Sequence, residues 1–488
     1  MARRHDDDPG LPLKLGPCSN GEHDPFPTTA LVREAMRRTR LACDDNARRT
    51  GVSRREFLLS AAGMATALAV LAACSDESSG GSGGGTFRVP PDATRDPEAA
   101  REALGGDGLV IDVQGHLLEY DLDTALPAAW FGSGFPQAGC EAGDPRACFD
   151  TAHFLEEVFV RSDTTVAVLS AVPVAGPDNP LGPRVMAEAI RRAELLCGDG
   201  RLLMQGHALP NAGPLDEALL AMADTADRFP VAAWKAYTHA GGPGWFLDDH
   251  DPRAPQVGEA FVRQAVALGI PRIAVHKGLS GNDPFASPVD LGPAAARHPD
   301  VAFVAYHAGY EGGAEGPWTE ATRGVGANRL VSTARDAGLA PGSNLYAELG
   351  STWRSVMGDP TSAAHLLGKL LLGLGEDNVL WGTDSIWYGS PQDQLTAFRA
   401  FEIAPELQER FGYPALTAER KAKILGGNAA RLYGIDPAAA PCRPSGADLE
   451  AMRTALPTAA NRTYGPTTAA AARAHRRSSG WFPGGRGS

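Results

Sequence analysis

The chain has 488 residues, which at about 150 residues per domain suggests about three domains, although α/β barrels of about 250 residues and more fold as one unit. Hydrophobic residues make up 43% and charged residues 21%, an ordinary globular balance. Asp and Glu number 58 against 45 Lys and Arg, a net charge of −13 that repels phosphate and excludes nucleic acid as a partner unless a local basic patch exists; the basic residues cluster mainly at the two ends.

Residues 1–52 are rich in Arg, Asp and turn formers, and read as an extended leader with no fold. Ser53-Arg54-Arg55-Glu56-Phe57-Leu58-Leu59 then opens an apolar run that continues to Ala73. The pattern resembles a twin-arginine export signal, which implies the twin-arginine export machinery as a partner. The run is short and Ala-rich for a membrane span of about 20 strongly apolar residues. It ends in Leu71-Ala72-Ala73-Cys74, which resembles a lipobox. That resemblance makes 53–74 the signal and Cys74 the lipidated N-terminus of an exported protein of the cell envelope, touching the membrane only through its lipid. Plain cleavage near Ala73 and an uncleaved anchor helix are the alternatives. Residues 75–100 begin with a Ser/Gly run that has nothing apolar to bury, and read as a flexible tether. After such processing Cys140, Cys148, Cys197 and Cys442 remain where disulfides are permitted; of the pairings open to them, a local Cys140–Cys148 bridge is favoured, with free buried thiols as the alternative.

From residue 101 to 440 short β-branched runs alternate with longer amphipathic stretches. Strands are predicted at 109–116, 165–172, 202–209, 231–239, 272–276, 301–307, 344–349 and 379–384. Helices are predicted at 151–161, 183–196, 215–229, 257–268, 319–337, 362–372 and 392–401, with a loop and a helix between 283 and 298. Strand–helix alternation implies parallel strands with crossover helices, and eight units favour a closed (β/α)8 TIM barrel over an open sheet. No Gly-x-Gly-x-x-Gly follows the first strand. Residues 441–488 change character to Ala, Thr, Pro, Gly and Arg, and read as a surface-wrapping or mobile tail with one helical piece at 469–477.

In a parallel barrel the C-terminal strand ends face the active-site mouth. Here they carry Gln114 and His116 on the first strand, His276 on the fifth, His307 on the sixth and Asp384 on the eighth. Alternation places Gln114 and His116 on one side of their strand. Neutral imidazoles with a carboxylate suit zinc or a similar divalent ion. His207 and His239 line the mouth without being needed as ligands.

This ordered set resembles the amidohydrolase superfamily, in its branch of amidohydrolase-related, metal-dependent TIM-barrel hydrolases. Trp381-Gly382-Thr383-Asp384-Ser385 is similar to the eighth-strand motif, and the segment from Lys423 to Tyr433 is similar to the helix that ends that domain. The resemblance, over roughly residues 108–435, implies His116, His276 and His307 as ligands, His307 also as a catalytic donor, and Asp384 as a ligand that shuttles the proton of an attacking water. The family's first strand usually reads His-x-His; Gln114 in the first position offers a weaker amide ligand. On the fourth strand, Lys235 resembles the lysine that two-metal members carboxylate to bridge their ions, so one or two ions are expected. A lysine that binds a substrate carboxylate or pairs with Asp384 is the competing reading. Glu348 is a candidate to orient a ligating histidine, Arg354 to bind an anionic substrate, His239 and Glu348 also to contact substrate, Trp353 to line the mouth, and the loop 241–246 to form a lid. Three functions follow: hydrolysis of a C–N or C–O bond in a small molecule, metal-dependent non-oxidative decarboxylation, or a catalytically weakened, tethered binding protein.

Overall fold

Runs such as Val-Ala-Val-Leu and Ala-Phe-Val-Ala-Tyr are apolar on both faces, as strands buried between helices and a barrel interior must be. In the computed structural model, which describes residues 9–80, 83–119, 140, 145–174, 179–437, 446–456 and 461–479, these runs form one eight-stranded parallel sheet. Its strands are β2 (Ile111–Gly115), β3 (Val166–Leu169), β4 (Leu202–Ala208), β5 (Val231–Tyr237), β6 (Arg272–His276), β7 (Ala302–Tyr306), β8 (Leu345–Glu348) and β9 (Val379–Leu380), neighbours in chain order. The last strand returns to the first through a parallel bridge between Gly115 and Ser385, with Val113 N donating to Trp381 O (3.1 Å) and Asp384 N to Gln114 O (2.9 Å). These bonds close the barrel.

The eight predicted strands are all present, shortened at their ends where the backbone turns away from the ladder. Helices Pro183–Cys197, Leu215–Arg228, Gly258–Ala267, Pro360–Leu374 and Gln392–Ala400 lie near the predicted limits. The predicted helix over 319–337 is instead a 3-10 turn at Glu320–Thr322 followed by Asn328–Asp336, because Gly324 and Gly326 interrupt it and Gly326 takes a φ of 52°. Inside the barrel Ile111, Val113, Val166, Val168, Ala274, Val304, Tyr306 and Leu380 pack together, and Ala429 and Ala430 of the helix Asn428–Tyr433 join the same cluster. Cys140 and Cys148 are bridged.

The largest departure from expectation lies ahead of the barrel. The region read as an unfolded leader contains α1 (Ala30–Thr50), capped by Thr29 at its start and by Gly51 at a φ of 74°. The twin-arginine stretch forms α2 (Arg54–Leu58), with a reciprocal capping box between Ser53 and Glu56 and an Arg54–Asp44 ion pair of 2.6 Å. The Ala-rich run forms α3 (Ala61–Ser79), which lies on α1 and buries Ala62, Ala65, Leu68, Leu71 and Cys74. An apolar run with small side chains serves a helix–helix contact as well as it serves an export signal. The predicted tether is also ordered where described. After α3 come β1 (Gly85–Phe87), paired antiparallel to β10 (Phe401–Ile403), and α4 (Pro97–Leu104), packed against α3. Among the described residues no helix is long and apolar enough to cross a membrane. In the predicted tail, Gly446–Ala455 and Ala469–Ser479 are helical, and Tyr464 is buried against Phe149.

Candidate metal centre

β6 ends in His276 and His307 follows directly on β7, and both histidines are fully buried. His276 Nε2 donates to Gly278 O at 2.9 Å, and His307 Nδ1 donates to Gly350 O at 2.8 Å. Each carbonyl acceptor fixes a tautomer, so the opposite nitrogens, His276 Nδ1 and His307 Nε2, carry free lone pairs; neither has a hydrogen-bond partner among the described residues. Burial is the main force that depresses both rings' basicity, His307 to about 4 and His276 well below the ordinary value, with their mutual proximity adding to it for His276.

The third group facing these nitrogens is Glu22. Its Oε2 lies 3.3 Å from His276 Nδ1 and 4.0 Å from His307 Nε2, and the three donor atoms lie within 4.8 Å of one another. Two histidines and a carboxylate are a ligand set suited to zinc, so the residues present fit a divalent ion. Glu22 stands on a strap, residues 9–24, that runs across the mouth ahead of α1. Asn20 forms the strap's turn: its Oδ1 accepts from Glu22 N (3.0 Å), and its Nδ2 reaches both Glu22 Oε2 (3.0 Å) and Asp384 Oδ2 (2.8 Å). Burial first, and then the charge of Asp384, raise the Glu22 carboxyl to about 8.

Asp384 follows β9 and is the hub of the polar network. Its Oδ1 accepts from His116 Nε2 (3.1 Å) and Gln114 Nε2 (3.2 Å), and its Oδ2 from Asn20 and the Ser351 hydroxyl (2.5 Å). Burial alone raises this carboxyl, but the bond and charge of His116, helped by His307 and Ser351, hold it below its ordinary value. His116 and Gln114 thus meet Asp384, not the Glu22–His276–His307 group; among the described residues His116 Nδ1 and Gln114 Oε1 have no partner.

Lys235, near the end of β5, is fully buried with its Nζ over the Tyr306 ring (3.7 Å to the centroid) and beside that of Tyr237 (4.6 Å). Among the described residues it has no hydrogen-bond partner, and it makes no ion pair with Asp384. Burial lowers its amine to about 7, against the pull of Glu22, Asp384 and Glu348. His207 pairs with it across the β4–β5 register.

The remaining candidates divide. Glu348 accepts from His307 N (3.1 Å) and Gly350 N (2.5 Å), so it positions the ligating histidine by its backbone and not by its ring. His239 packs its ring 4.6 Å from that of His276 and lines the centre. Arg354 differs from expectation: its Nη2 donates to Lys14 O (3.0 Å) and Gly16 O (2.8 Å), clamping the strap. Trp353 lies in the core against Phe398 and Phe401, with Nε1 bonded to Gln394 O. The loop 241–246 is packed through buried Trp245, whose Nε1 donates to Tyr237 O (3.1 Å). Glu22 and Asn20 escaped sequence reading because an irregular segment has no periodicity; the turn-forming Asn20-Gly21 pair was the one local signal.

The family profile described as amidohydrolase matches residues 111–435. The chain belongs to this amidohydrolase family. Among curated proteins none matches it. Solved structures similar to the amidohydrolase chain include a protein provisionally named 2-pyrone-4,6-dicarboxylic acid hydrolase from Pseudomonas putida (15% identity, TM-score 0.40, 67% of this chain and 98% of that one). Two others are 2,6-dihydroxybenzoate decarboxylase from Rhizobium (14%, 0.38, 67% and 99%) and 5-carboxyvanillate decarboxylase from Sphingomonas paucimobilis (14%, 0.37, 67% and 99%).

Proposed function

We propose that this amidohydrolase is a metal-dependent hydrolase of a C–N or C–O bond in a small molecule. The observation that carries the reading is the pair of buried, unpartnered lone pairs on His276 Nδ1 and His307 Nε2, locked by carbonyl acceptors and facing a carboxylate. Buried polar atoms without partners are rare, and an ion is one of the few things that satisfies two nitrogen lone pairs at once. His276, His307 and Glu22 would hold a divalent cation, which when bound would supply Lewis acidity toward a carbonyl and lower the pKa of water.

The chain's own residues do the rest. Asp384, kept ionised by His116 and Ser351, accepts the proton of an attacking water and returns it to the leaving group. Asn20 and Gln114 hold that carboxylate in one orientation. Lys235 offers a neutral amine near pH 7, the state needed to add CO2 and form a carbamate with release of a proton; we propose this carboxylated form for a two-ion state.

Metal analysis of the full chain tests the reading. At least one divalent ion per chain is expected, lost in a His276→Ala, His307→Ala double variant. A metal-saturated preparation that retains none sinks the enzyme reading and favours a binding protein. Release of CO2 from an aromatic acid without bond hydrolysis replaces the reaction by decarboxylation at the same residues. A free Lys235 amine in a two-ion form, seen by mass or carbon-13 spectroscopy, removes the carbamate.

Export belongs to the same proposal and is supported by the twin-arginine pattern at Arg54 and Arg55. Replacing both with Lys is expected to retain the protein inside the cell; unchanged export refutes the assignment.

A further inference from the structure

We propose that Glu22, carried by a strap outside the barrel, is a resident ligand of the ion held by His276 and His307, an inference that rests on the metal-dependent reading above. The barrel by itself offers an incomplete site. Its first strand contributes no atom to the donor group, since Gln114 Nε2 and His116 Nε2 both meet Asp384. Among the described residues only Glu22 brings a carboxylate oxygen to these nitrogens, at 3.3 and 4.0 Å.

The strap is built to hold that carboxylate in place. Asn20 bonds Glu22 through both backbone and side chain, and ties it to Asp384. Ser19 Oγ donates to His23 O (2.5 Å) and accepts from Gly21 N (2.9 Å), which fixes the turn from within. Upstream, Lys14 pairs with Asp393 at 2.9 Å, and Arg354 clamps Lys14 O and Gly16 O. Just before the turn Ser19 N donates to Pro466 O (3.0 Å), and downstream Asp24 is held by Arg473 (2.8 Å) and Arg476 (2.5 Å). Gly21, at a φ of 97°, lies so close to His475 that a Cβ would come within 2.4 Å of that ring. A cover that must leave for substrate to enter gains nothing from so many fixed points. A ligand that must hold its oxygen within a few tenths of an ångström needs them.

The test uses the full chain with zinc alone and cobalt alone as probes. Zinc affinity is read by competition with a chromophoric chelator, and ligand geometry by the visible absorption of bound cobalt. Glu22→Gln is expected to weaken zinc at least ~10-fold and to change the cobalt spectrum. Glu22→Asp, which keeps the charge and shortens the reach, is expected to retain cobalt with a shifted spectrum. If Glu22→Gln and Glu22→Asp both bind zinc as tightly as the unaltered chain with an unchanged cobalt spectrum, the strap is a cover and the proposal is overturned, while the metal-dependent reading stands. An unaltered chain that binds neither metal overturns both.

Discussion

Backbone strain collects at the centre. His307, Ala308, Ser351 and Asp384 all have positive φ, between 51° and 64°, a region that side chains enter at a cost of about 1–3 kcal/mol each. Gly350 and Gly382 permit the crowding that this arrangement demands. A Cβ on Gly382 would lie 1.7 Å from Glu348 Oε1, and one on Gly350 would lie 2.2 Å from Gln114 Oε1. Glu348 cannot swing aside without releasing His307 N, so Gly382→Ala is expected to destabilise the fold by about 1–3 kcal/mol, measured by chemical denaturation. Stability within ~0.5 kcal/mol of the unaltered chain would show that Glu348 is free to move. His276, His307, Lys235 and Asp384 were legible because the alternation of a strand and the direction of a parallel barrel say where a strand end points. Arg354 was misjudged for the complementary reason: beyond the strand end no periodicity says whether a guanidinium faces substrate or another piece of chain.

Among elements, the barrel strands were legible because a run buried on both faces has few other homes. The pairing of β1 with β10 was not, since three residues carry no readable alternation and their partner lies more than 300 positions away. Between elements, Lys369 of the helix Pro360–Leu374 is buried with Glu315, and its Nζ also donates to Asn328 Oδ1 (2.7 Å). Lys369→Met alone leaves a buried carboxylate unpaired and is expected to cost about 3–5 kcal/mol; adding Glu315→Leu should recover most of it, which a double-variant cycle by denaturation reads. Equal cost in the single and double variants would refute the pairing as the source. On the same helix His365 bonds the Tyr413 hydroxyl (3.1 Å) and packs on Phe411. Burial, with Lys369 and Arg410 nearby against the weaker pull of Asp359, lowers its ring to about 4. Between about pH 6.5 and pH 4 the unfolded chain therefore binds a proton that the folded chain refuses, and stability falls as pH falls through that window. His365→Gln should flatten the decline in Tm between pH 6.5 and 5; an unchanged slope places the acid sensitivity elsewhere.

For the whole molecule the decisive question is what the first 80 residues are for. Sequence patterns read them as an address to be removed, and composition supports that reading as well as it supports a packed helical hairpin; Ala, Leu and Gly do not distinguish the two. The folded chain puts Leu68, Leu71 and Cys74 in the same core as Phe87, Ala100, Leu104 and Phe401, and lays the strap over the metal centre. Cleavage ahead of Cys74 would strip α1 and most of α3 from that core, at about 2–5 kcal/mol for each large side chain lost. It would also take Asn20 and Glu22 from the site. Lipid attachment requires the Cys74 thiol, which this packing buries and whose pKa burial raises, away from the reactive thiolate. The mature protein is therefore expected to keep the residues ahead of Cys74, with that thiol unmodified, as read by intact mass and N-terminal sequencing of protein recovered from its native cells. A mature chain beginning at a lipidated Cys74 would show that the strap and hairpin leave before the enzyme works, and that Glu22 guards the site only during folding and export.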